Sequence, residues 1–211
     1  MTVQLSATDL VPEKPFTDLL YTTQDLQALR FMAAIVWQLL EAHLQSGEDE
    51  QLLLHHPTER AWTNRIVITQ PKRLCEKVHL TVVGFFGIKT QRADLSLAQR
   101  LDQELIPELS NFDELLGYVT VWLPTGNFAN MVLFASPEGK DAWGKSEKHA
   151  EAVRLLTPDY YKVVRIYNGE LPGGIASPDA LRMNKVKYYD YTTSPMWRAV
   201  RDLTHVEAVA G

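Results

Sequence analysis

Residues 78–171 constrain the fold more than any other part of the chain, because strand and helix patterns follow one another there in a fixed order. The segment opens with VHLTVVGFFGI, an apolar and β-branched run that predicts a long strand over 78–88. Helical periodicity then predicts a helix over 94–109. Further apolar runs predict three more strands, over 116–123, 130–135 and 160–167.

A second helix is predicted over residues 136–156. Ser136-Pro137-Glu138 favours a helix start, because serine can cap the backbone, proline suits the first turn and a carboxylate suits the positive end. The side chains that follow recur at steps of three and four and share one face: Ala142, Ser146, His149, Val153 and Leu156. Lysine and glutamate cover the opposite side, so we expect this face to pack on the core.

The resulting order is β-α-β-β-α-β, which predicts an α+β fold with a ferredoxin-like unit. Together with Trp-x-x-Ser-x-x-His on the second helix (Trp143, Ser146 and His149), this order resembles the dimeric α+β-barrel superfamily, which includes antibiotic-biosynthesis-monooxygenase-like proteins. The resemblance covers residues 78–171. It implies a substrate cavity between sheet and helices, and a homodimer that pairs through the sheet face left open by the two helices.

The resemblance favours a small-molecule enzyme similar to cofactor-independent monooxygenases or isomerases, acting on an aromatic or polyketide-like substrate. A non-catalytic ligand-binding or assembly protein of the same fold is an alternative, because one fold serves many functions. No motif requires a cofactor, so the cofactor is unknown. A haem-binding or haem-degrading protein is a third alternative. The haem-degrading members carry their iron-ligating histidine about ten residues after the tryptophan, where this chain has Val153.

The second helix carries three candidate site residues. His149 is the candidate catalytic residue, because a histidine beside a core is either a general base near neutral pH or a packed side chain. The small residues around it predict that it faces an internal cavity. Trp143 is a cavity wall by the resemblance, or otherwise a core residue. Ser146, one turn before His149, could hydrogen-bond the imidazole.

The strands carry three more candidate substrate-binding residues. Tyr118 lies on one strand face with a second aromatic residue, and it could add a phenol to an aromatic wall. Arg165 lies inside an apolar strand, so it needs either a carboxylate or an anionic substrate as its partner. His79 points either into the protein or to solvent near a strand end.

Residues 1–77 are predicted to form an N-terminal helical extension packed on the main domain. Its helix spans 22–46 and has a broad apolar stripe. Short strands are predicted over 52–54 and 64–69. A decayed second copy of the ferredoxin-like unit is an alternative for the same region.

Residues 172–211 are predicted to form a C-terminal extension. An edge strand is expected over 183–191, and a short helix is expected from Ser194. In the superfamily that the chain resembles, such a segment often reaches the partner subunit, so dimer contacts are expected here.

Composition excludes several partners and compartments. The net charge is −5, so nothing draws the chain to nucleic acid or to an anionic membrane. The longest apolar runs are shorter than the roughly 20 residues of a membrane span. Cys75 is the only cysteine, and the N-terminus lacks a signal-peptide pattern, so a cytoplasmic location is expected. No metal site is predicted, because His55, His56 and Glu59 lack a defined ligand spacing.

Overall fold

The computed structural model describes residues 2–46, 53–55, 63–123, 125–157 and 159–204, with side chains for all of these except 53–55, 63 and 64. The described residues form one sheet of nine strands with helices on both faces. The strands are β1 (Val3–Leu5), β2 (Leu53–His55), β3 (Thr63–Ile68), β4 (His79–Lys89), β5 (Leu115–Trp122), β6 (Phe128–Phe134), β7 (Tyr161–Pro172), β8 (Arg182–Asp190) and β9 (Trp197–Asp202). The helices are α1 (Leu19–Gln45), α2 (Pro71–Glu76), α3 (Leu95–Leu109), α4 (Pro137–Gly144) and α5 (Glu147–Leu156).

The strand order confirms the predicted fold class. The order is β1-β9-β8-β7-β4-β6-β5-β3-β2, and its central strands β7-β4-β6-β5 are the four predicted within residues 78–171. Neighbours among these four are antiparallel. Helix α3 connects β4 to β5, while α4 and α5 connect β6 to β7. The chain therefore has an α+β fold with a ferredoxin-like β-α-β-β-α-β unit, an extra N-terminal helix and a C-terminal extension.

The two faces of the sheet bury different parts of the chain, because side chains alternate along a strand. Leu80, Val82 and Phe86 of β4 join the main core, which packs against α1. Val83 and Phe85 point to the other face, into smaller clusters formed with α3, α4 and α5. The sheet therefore separates α1 from the helices of the ferredoxin-like unit.

Helix α1 covers the sheet face that was expected to pair with a partner subunit. It approaches β4 closely at Gly84, where a Cβ atom would lie 2.7 Å from Cδ1 of Leu29. The helix buries a stripe against this face: Ala28, Leu29, Met32, Ala33, Val36 and Leu40. A homodimer stays a prediction, and it would have to use another surface. No described helix combines the length and the apolar character needed to cross a membrane.

The prediction of a single helix over 136–156 is wrong, because two helices, α4 and α5, lie there. Helix α4 ends at Gly144, since glycine has a low helix propensity. The Ser146 hydroxyl then accepts a hydrogen bond from the His149 backbone N–H at 3.3 Å, which caps the start of α5. The continuous core-facing stripe is therefore not formed, and Ala142 is exposed.

The C-terminal extension differs from its prediction in two respects. The strand predicted over 183–191 is present as β8, but it is interior and bonded to both β7 and β9. The helix predicted from Ser194 is absent, and residues 197–202 form β9 instead. Pairing with β8 on one side and with β1 on the other satisfies the backbone groups of β9, which outweighs its local helical pattern.

The N-terminal extension contributes strands to both edges of the same sheet. Helix α1 and strands β2 and β3 lie within three residues of their predicted bounds, whereas β1 and α2 were not predicted. Strand β3 pairs with β5, and β1 pairs with β9 at the opposite edge. The described part of residues 1–77 is therefore not a separate second copy of the ferredoxin-like unit.

Arg165 of β7 finds its partner on α1. Its Nε and Nη2 donate to the two carboxylate oxygens of Asp25 at 2.6 and 2.9 Å, and both side chains are buried. The ring of Tyr21 lies 5.0 Å from the guanidinium carbon. Of the two kinds of partner that the sequence left open, the structure shows a carboxylate, and it belongs to the same chain. The two parallel bonds hold α1 over β7.

We expect Asp25→Ala to lower the free energy of unfolding by about 3–5 kcal/mol, because it leaves the buried Arg165 guanidinium without its counter-charge. Urea unfolding followed by circular dichroism measures the change. Glu104→Ala is the matched control. It removes the exposed Arg100–Glu104 pair of α3 and should cost less than about 1 kcal/mol. Equal losses in the two variants would contradict a stabilising role for the buried pair.

Candidate functional site

The sheet face beneath α3, α4 and α5 carries polar side chains between two aromatic clusters. Asn130 of β6 pairs with Thr120 of β5 at the centre of this face. On one side lies a cluster that contains Trp143. On the other side lies a cluster that contains Tyr161, with Phe128 packed against it. A polar group on this face is therefore surrounded by aromatic and apolar walls.

Trp143 and His149 lie together where α4 meets α5. Their ring centroids are 5.2 Å apart, and the ring planes are tilted by 41°. The Trp143 ring also meets Phe112 edge-on at 5.1 Å. Burial lowers the pKa of His149, because the protonated imidazole loses contact with water. His149 is therefore neutral at physiological pH and can accept a proton.

Tyr118 of β5 lies at the centre of a chain of hydrogen bonds. The Asn130 side-chain amide donates to the Tyr118 hydroxyl at 3.0 Å and to the Thr120 hydroxyl at 2.8 Å. The Tyr118 hydroxyl donates to Oδ1 of Asp102 on α3 at 3.4 Å. Burial and the Asp102 charge raise the pKa of Tyr118 far above its usual value, so the phenol stays protonated.

The chain of hydrogen bonds through Tyr118 ends at Asp102, which lies beside the guanidinium group of Arg65. Its Oδ2 lies 2.8 Å from Nη1 of Arg65 on β3. Burial raises the pKa of Asp102, while the Arg65 charge and the Tyr118 hydroxyl oppose that rise. The result is a carboxyl group that holds a proton more strongly than an exposed aspartate does.

The structure brings four of the six predicted site residues to this face. Tyr118 and Trp143 belong to one buried cluster, and the Trp143 ring contacts His149. Ser146 lies beside them, but its hydroxyl accepts from the backbone N–H of His149 and not from the imidazole. The internal cavity beside His149 stays a prediction.

Arg165 and His79 lie elsewhere. Arg165 is on the opposite face of the sheet, where both of its bonds to Asp25 are buried under α1. His79 begins β4, and its side chain is 56% exposed and lies 3.3 Å from the Glu170 carboxylate. Neither side chain is part of the site around Tyr118 and His149.

Three residues of the site were not predicted: Asp102, Asn130 and Arg65. A usable signal existed for Asp102, which follows Ala98 by four residues and precedes Leu105 by three. That spacing places a carboxylate on the buried stripe of α3. Asn130 and Arg65 carry no comparable signal, because their proximity depends on the register of β3, β5 and β6.

Among the described residues, no three histidine, cysteine, aspartate or glutamate side chains are grouped as a metal ion requires. The side chains of His55, His56 and Glu59 lie outside the described part of the chain. Val153, at the haem-ligand position of the proteins that the chain resembles, is 46% exposed, and its side chain cannot ligate iron.

Whole-structure comparison finds several similar solved structures, among them the following three. An anthrone oxidase-like protein is 14% identical, with a TM-score of 0.33 over 49% of this chain and 41% of its own. A monooxygenase-like protein from Listeria innocua is 11% identical, with a TM-score of 0.31 over 58% and 79%. An uncharacterized ferredoxin-fold protein related to antibiotic biosynthesis monooxygenases, from Listeria monocytogenes 4b F2365, is 9% identical, with a TM-score of 0.33 over 62% and 87%.

The sequence comparisons add no relative. No model of a known protein family matches the chain, and no curated protein matches it. This chain spans less than half of the anthrone oxidase-like protein. Because the TM-scores of these three structures are below 0.5, the ferredoxin-like fold is assigned from the strand order β7-β4-β6-β5 and not from these matches.

Proposed function

We propose that this chain is a small-molecule enzyme that takes a proton from an aromatic substrate held between the sheet and helices α3, α4 and α5. One observation carries the proposal. A neutral imidazole, His149, packs on Trp143 at the same sheet face as the hydrogen-bond chain through Tyr118. A base and a polar group in apolar surroundings are what proton abstraction next to a carbonyl requires. A cytoplasmic location and a homodimer, formed away from the face that α1 covers, complete the proposal.

The residues indicate the substrate class. Aromatic walls favour a flat aromatic ring. The Tyr118 bond to Asp102 is long, at 3.4 Å, so this hydroxyl can turn to a carbonyl or phenol oxygen of a ligand. An aromatic ketone with an acidic CH₂ group has both features. His149 takes one proton from that CH₂, and Tyr118 donates to the oxygen on which negative charge develops.

Dioxygen completes the oxidative form of the reaction. The deprotonated carbon passes electrons to O₂, a C–O bond forms, and the resulting peroxide loses water. The CH₂ group loses four electrons and O₂ gains four, so CH₂ and O₂ become C=O and H₂O. The substrate carbanion is itself the reductant. Return of the proton to a different carbon gives the isomerase form of the same chemistry.

We expect Tyr118→Phe to lower kcat/KM about tenfold or more for 1,8-dihydroxyanthrone, a test substrate that is an aromatic ketone with an acidic CH₂ group. The charge that develops on oxygen loses a hydrogen-bond donor in this variant. His149→Gln should lower kcat about a hundredfold, because it removes the base. An oxygen electrode measures both effects. Tyr21→Phe is the matched control, since it removes a phenol hydroxyl from α1 on the opposite side of the sheet and should leave the rate unchanged.

Two assays separate the alternatives: deuterium exchange at the substrate CH₂, followed by NMR in oxygen-free D₂O, and O₂ consumption, measured separately with the oxygen electrode. Exchange together with O₂ consumption supports the oxygenase form, and exchange alone supports the isomerase form. Binding with neither exchange nor O₂ consumption would contradict an enzyme and leave the non-catalytic ligand-binding alternative.

We expect the wild-type protein to lose stability relative to His149→Gln as the pH falls. Because burial lowers the pKa of His149 in the folded state, the unfolded chain binds this proton more tightly. The stability of the wild-type protein relative to His149→Gln is therefore constant above the usual pKa of 6.5. It decreases as the pH falls from 6.5 towards the folded-state pKa of His149. Urea unfolding at pH 7.5 and pH 5 measures it, and the other histidines cancel between the two proteins. A difference that does not change with pH would contradict a buried, neutral imidazole.

A further inference from the structure

Tyr161 of β7 is a second phenol on the sheet face beneath α3, α4 and α5, and the proposed reaction does not use it. The residue is 6% exposed and belongs to the aromatic cluster on the side of this face away from Trp143. Burial and the charges of Tyr160 and Asp102 raise the pKa of Tyr161, and no hydrogen bond contributes to that shift. Within the described part of the chain, the Tyr161 hydroxyl therefore has no hydrogen-bond partner.

The ring of Tyr161 lies over β4 because residue 87 is a glycine. A Cβ atom at Gly87 would lie 2.2 Å from Cε1 of Tyr161, which is too close for two carbon atoms. The same ring meets the ring of Phe85 edge-on, with 5.2 Å between the centroids. Phe85 pairs across the next strand boundary with Asn130 of β6, which donates to the Tyr118 hydroxyl. The Tyr161 ring therefore reaches from β7 over β4, towards the strand that carries Asn130.

The Tyr161 hydroxyl lies near the same polar groups as the Tyr118 hydroxyl. Burial is the main cause of the raised pKa of Tyr118, and the charges of Asp102 and Tyr161 add to it. Charges interact in this way only at short range, so the two phenols and the carboxylate lie close together. Both phenols stay protonated at physiological pH and are therefore hydrogen-bond donors. Tyr118 is already bonded to Asn130 and Asp102, whereas Tyr161 is bonded to neither.

Tyr161 and His149 lie at opposite ends of the site. Trp143, which packs on His149, shares its cluster with Val132 of β6. Phe128, on the same strand, packs against the cluster of Tyr161. These two positions of β6 are four residues apart, which is roughly 13 Å along an extended strand. An aromatic molecule of fused rings that meets His149 with one edge therefore meets Tyr161 with the opposite edge.

We propose that Tyr161 is a specificity-determining residue that donates a hydrogen bond to a second oxygen atom of the substrate, at the edge opposite the reacting carbon. The substrate class becomes narrower: an aromatic ketone that also carries a phenol oxygen beside its carbonyl group. Tyr118 binds the carbonyl oxygen and Tyr161 binds the phenol oxygen. Buried donors in native proteins almost always find an acceptor, and a substrate with one oxygen would leave the Tyr161 hydroxyl without one. The inference rests on the proposed function for the ring and the carbonyl of the substrate.

Equilibrium binding to the full chain in oxygen-free buffer tests the Tyr161 contact without requiring turnover. Quenching of tryptophan fluorescence gives the Kd for two ligands: 1,8-dihydroxyanthrone, whose phenol oxygens lie beside the carbonyl and away from the CH₂ group, and anthrone, which lacks them. We expect Tyr161→Phe to raise the Kd for 1,8-dihydroxyanthrone about fivefold, because one hydrogen bond is lost, and to leave the Kd for anthrone unchanged. Equal changes for the two ligands, or no change for either, overturn the proposal.

Tyr160→Phe is the matched control for Tyr161→Phe. It removes a buried hydroxyl from the neighbouring residue of the same cluster, and the two tyrosine rings meet edge-on at 4.7 Å. Burial alone raises the pKa of Tyr160, so this hydroxyl is not placed near Asp102 as that of Tyr161 is. We expect both Kd values to stay at their wild-type level. A loss of the preference for 1,8-dihydroxyanthrone in Tyr160→Phe as well would trace the effect to packing and overturn the proposal.

The Tyr161 contact and the enzymatic function fail in different ways. If Tyr161→Phe loses the preference for 1,8-dihydroxyanthrone but the wild-type protein neither exchanges the CH₂ protons nor consumes O₂, the contact stands and the enzymatic function does not. If the wild-type protein is active and Tyr161→Phe keeps the preference, the enzymatic function stands and the contact does not. In an active enzyme, Tyr161→Phe should raise KM and leave kcat unchanged, because the phenol oxygen gains no charge in the transition state.

Discussion

The packing of α1 across the sheet is the constraint on which the rest of the structure depends. The ferredoxin-like unit has apolar side chains on both faces, and its own helices cover only one of them. Helix α1 covers the other face with a stripe of buried residues, and the bidentate pair between Asp25 and Arg165 holds it over β7. Two subunits therefore cannot pair sheet to sheet through this face while α1 remains in place.

The sheet separates two polar clusters that differ in chemistry. Beneath α3 to α5, Tyr118, Asp102 and His149 are groups that can accept or donate a proton, and burial shifts the pKa of each. Beneath α1, the buried charges are the guanidinium groups of Arg165 and Arg201, which do not deprotonate in proteins, and the Asp25 carboxylate that pairs with Arg165. The first face is therefore suited to proton transfer. The second is suited to holding elements together and balancing charge.

The fold could be predicted from the sequence further than the site could. The strands of β4 to β7 and helix α3 have local periodicities that identify them without knowledge of their partners. Local patterns misled where pairing between distant segments decided the outcome, as in β9. In the site, Trp143 and His149 were recognisable because they lie close together on the chain. Asp102 has a local signal in its place on the buried stripe of α3, but its pairing with Arg65 has none, because α3 and β3 meet only in the folded protein.

The sequence by itself determined the order of elements in residues 78–171 and the amphipathic character of α1, because the spacing of apolar residues at two or at three to four positions is a local property. Only the tertiary structure decided which polar side chains share a face. The sequence makes Arg165 a candidate for the same site as Tyr118, yet the side chain faces Asp25, 140 residues away in the chain. The register of paired strands and the position of a covering helix result from contacts between distant segments, and no local spacing encodes them.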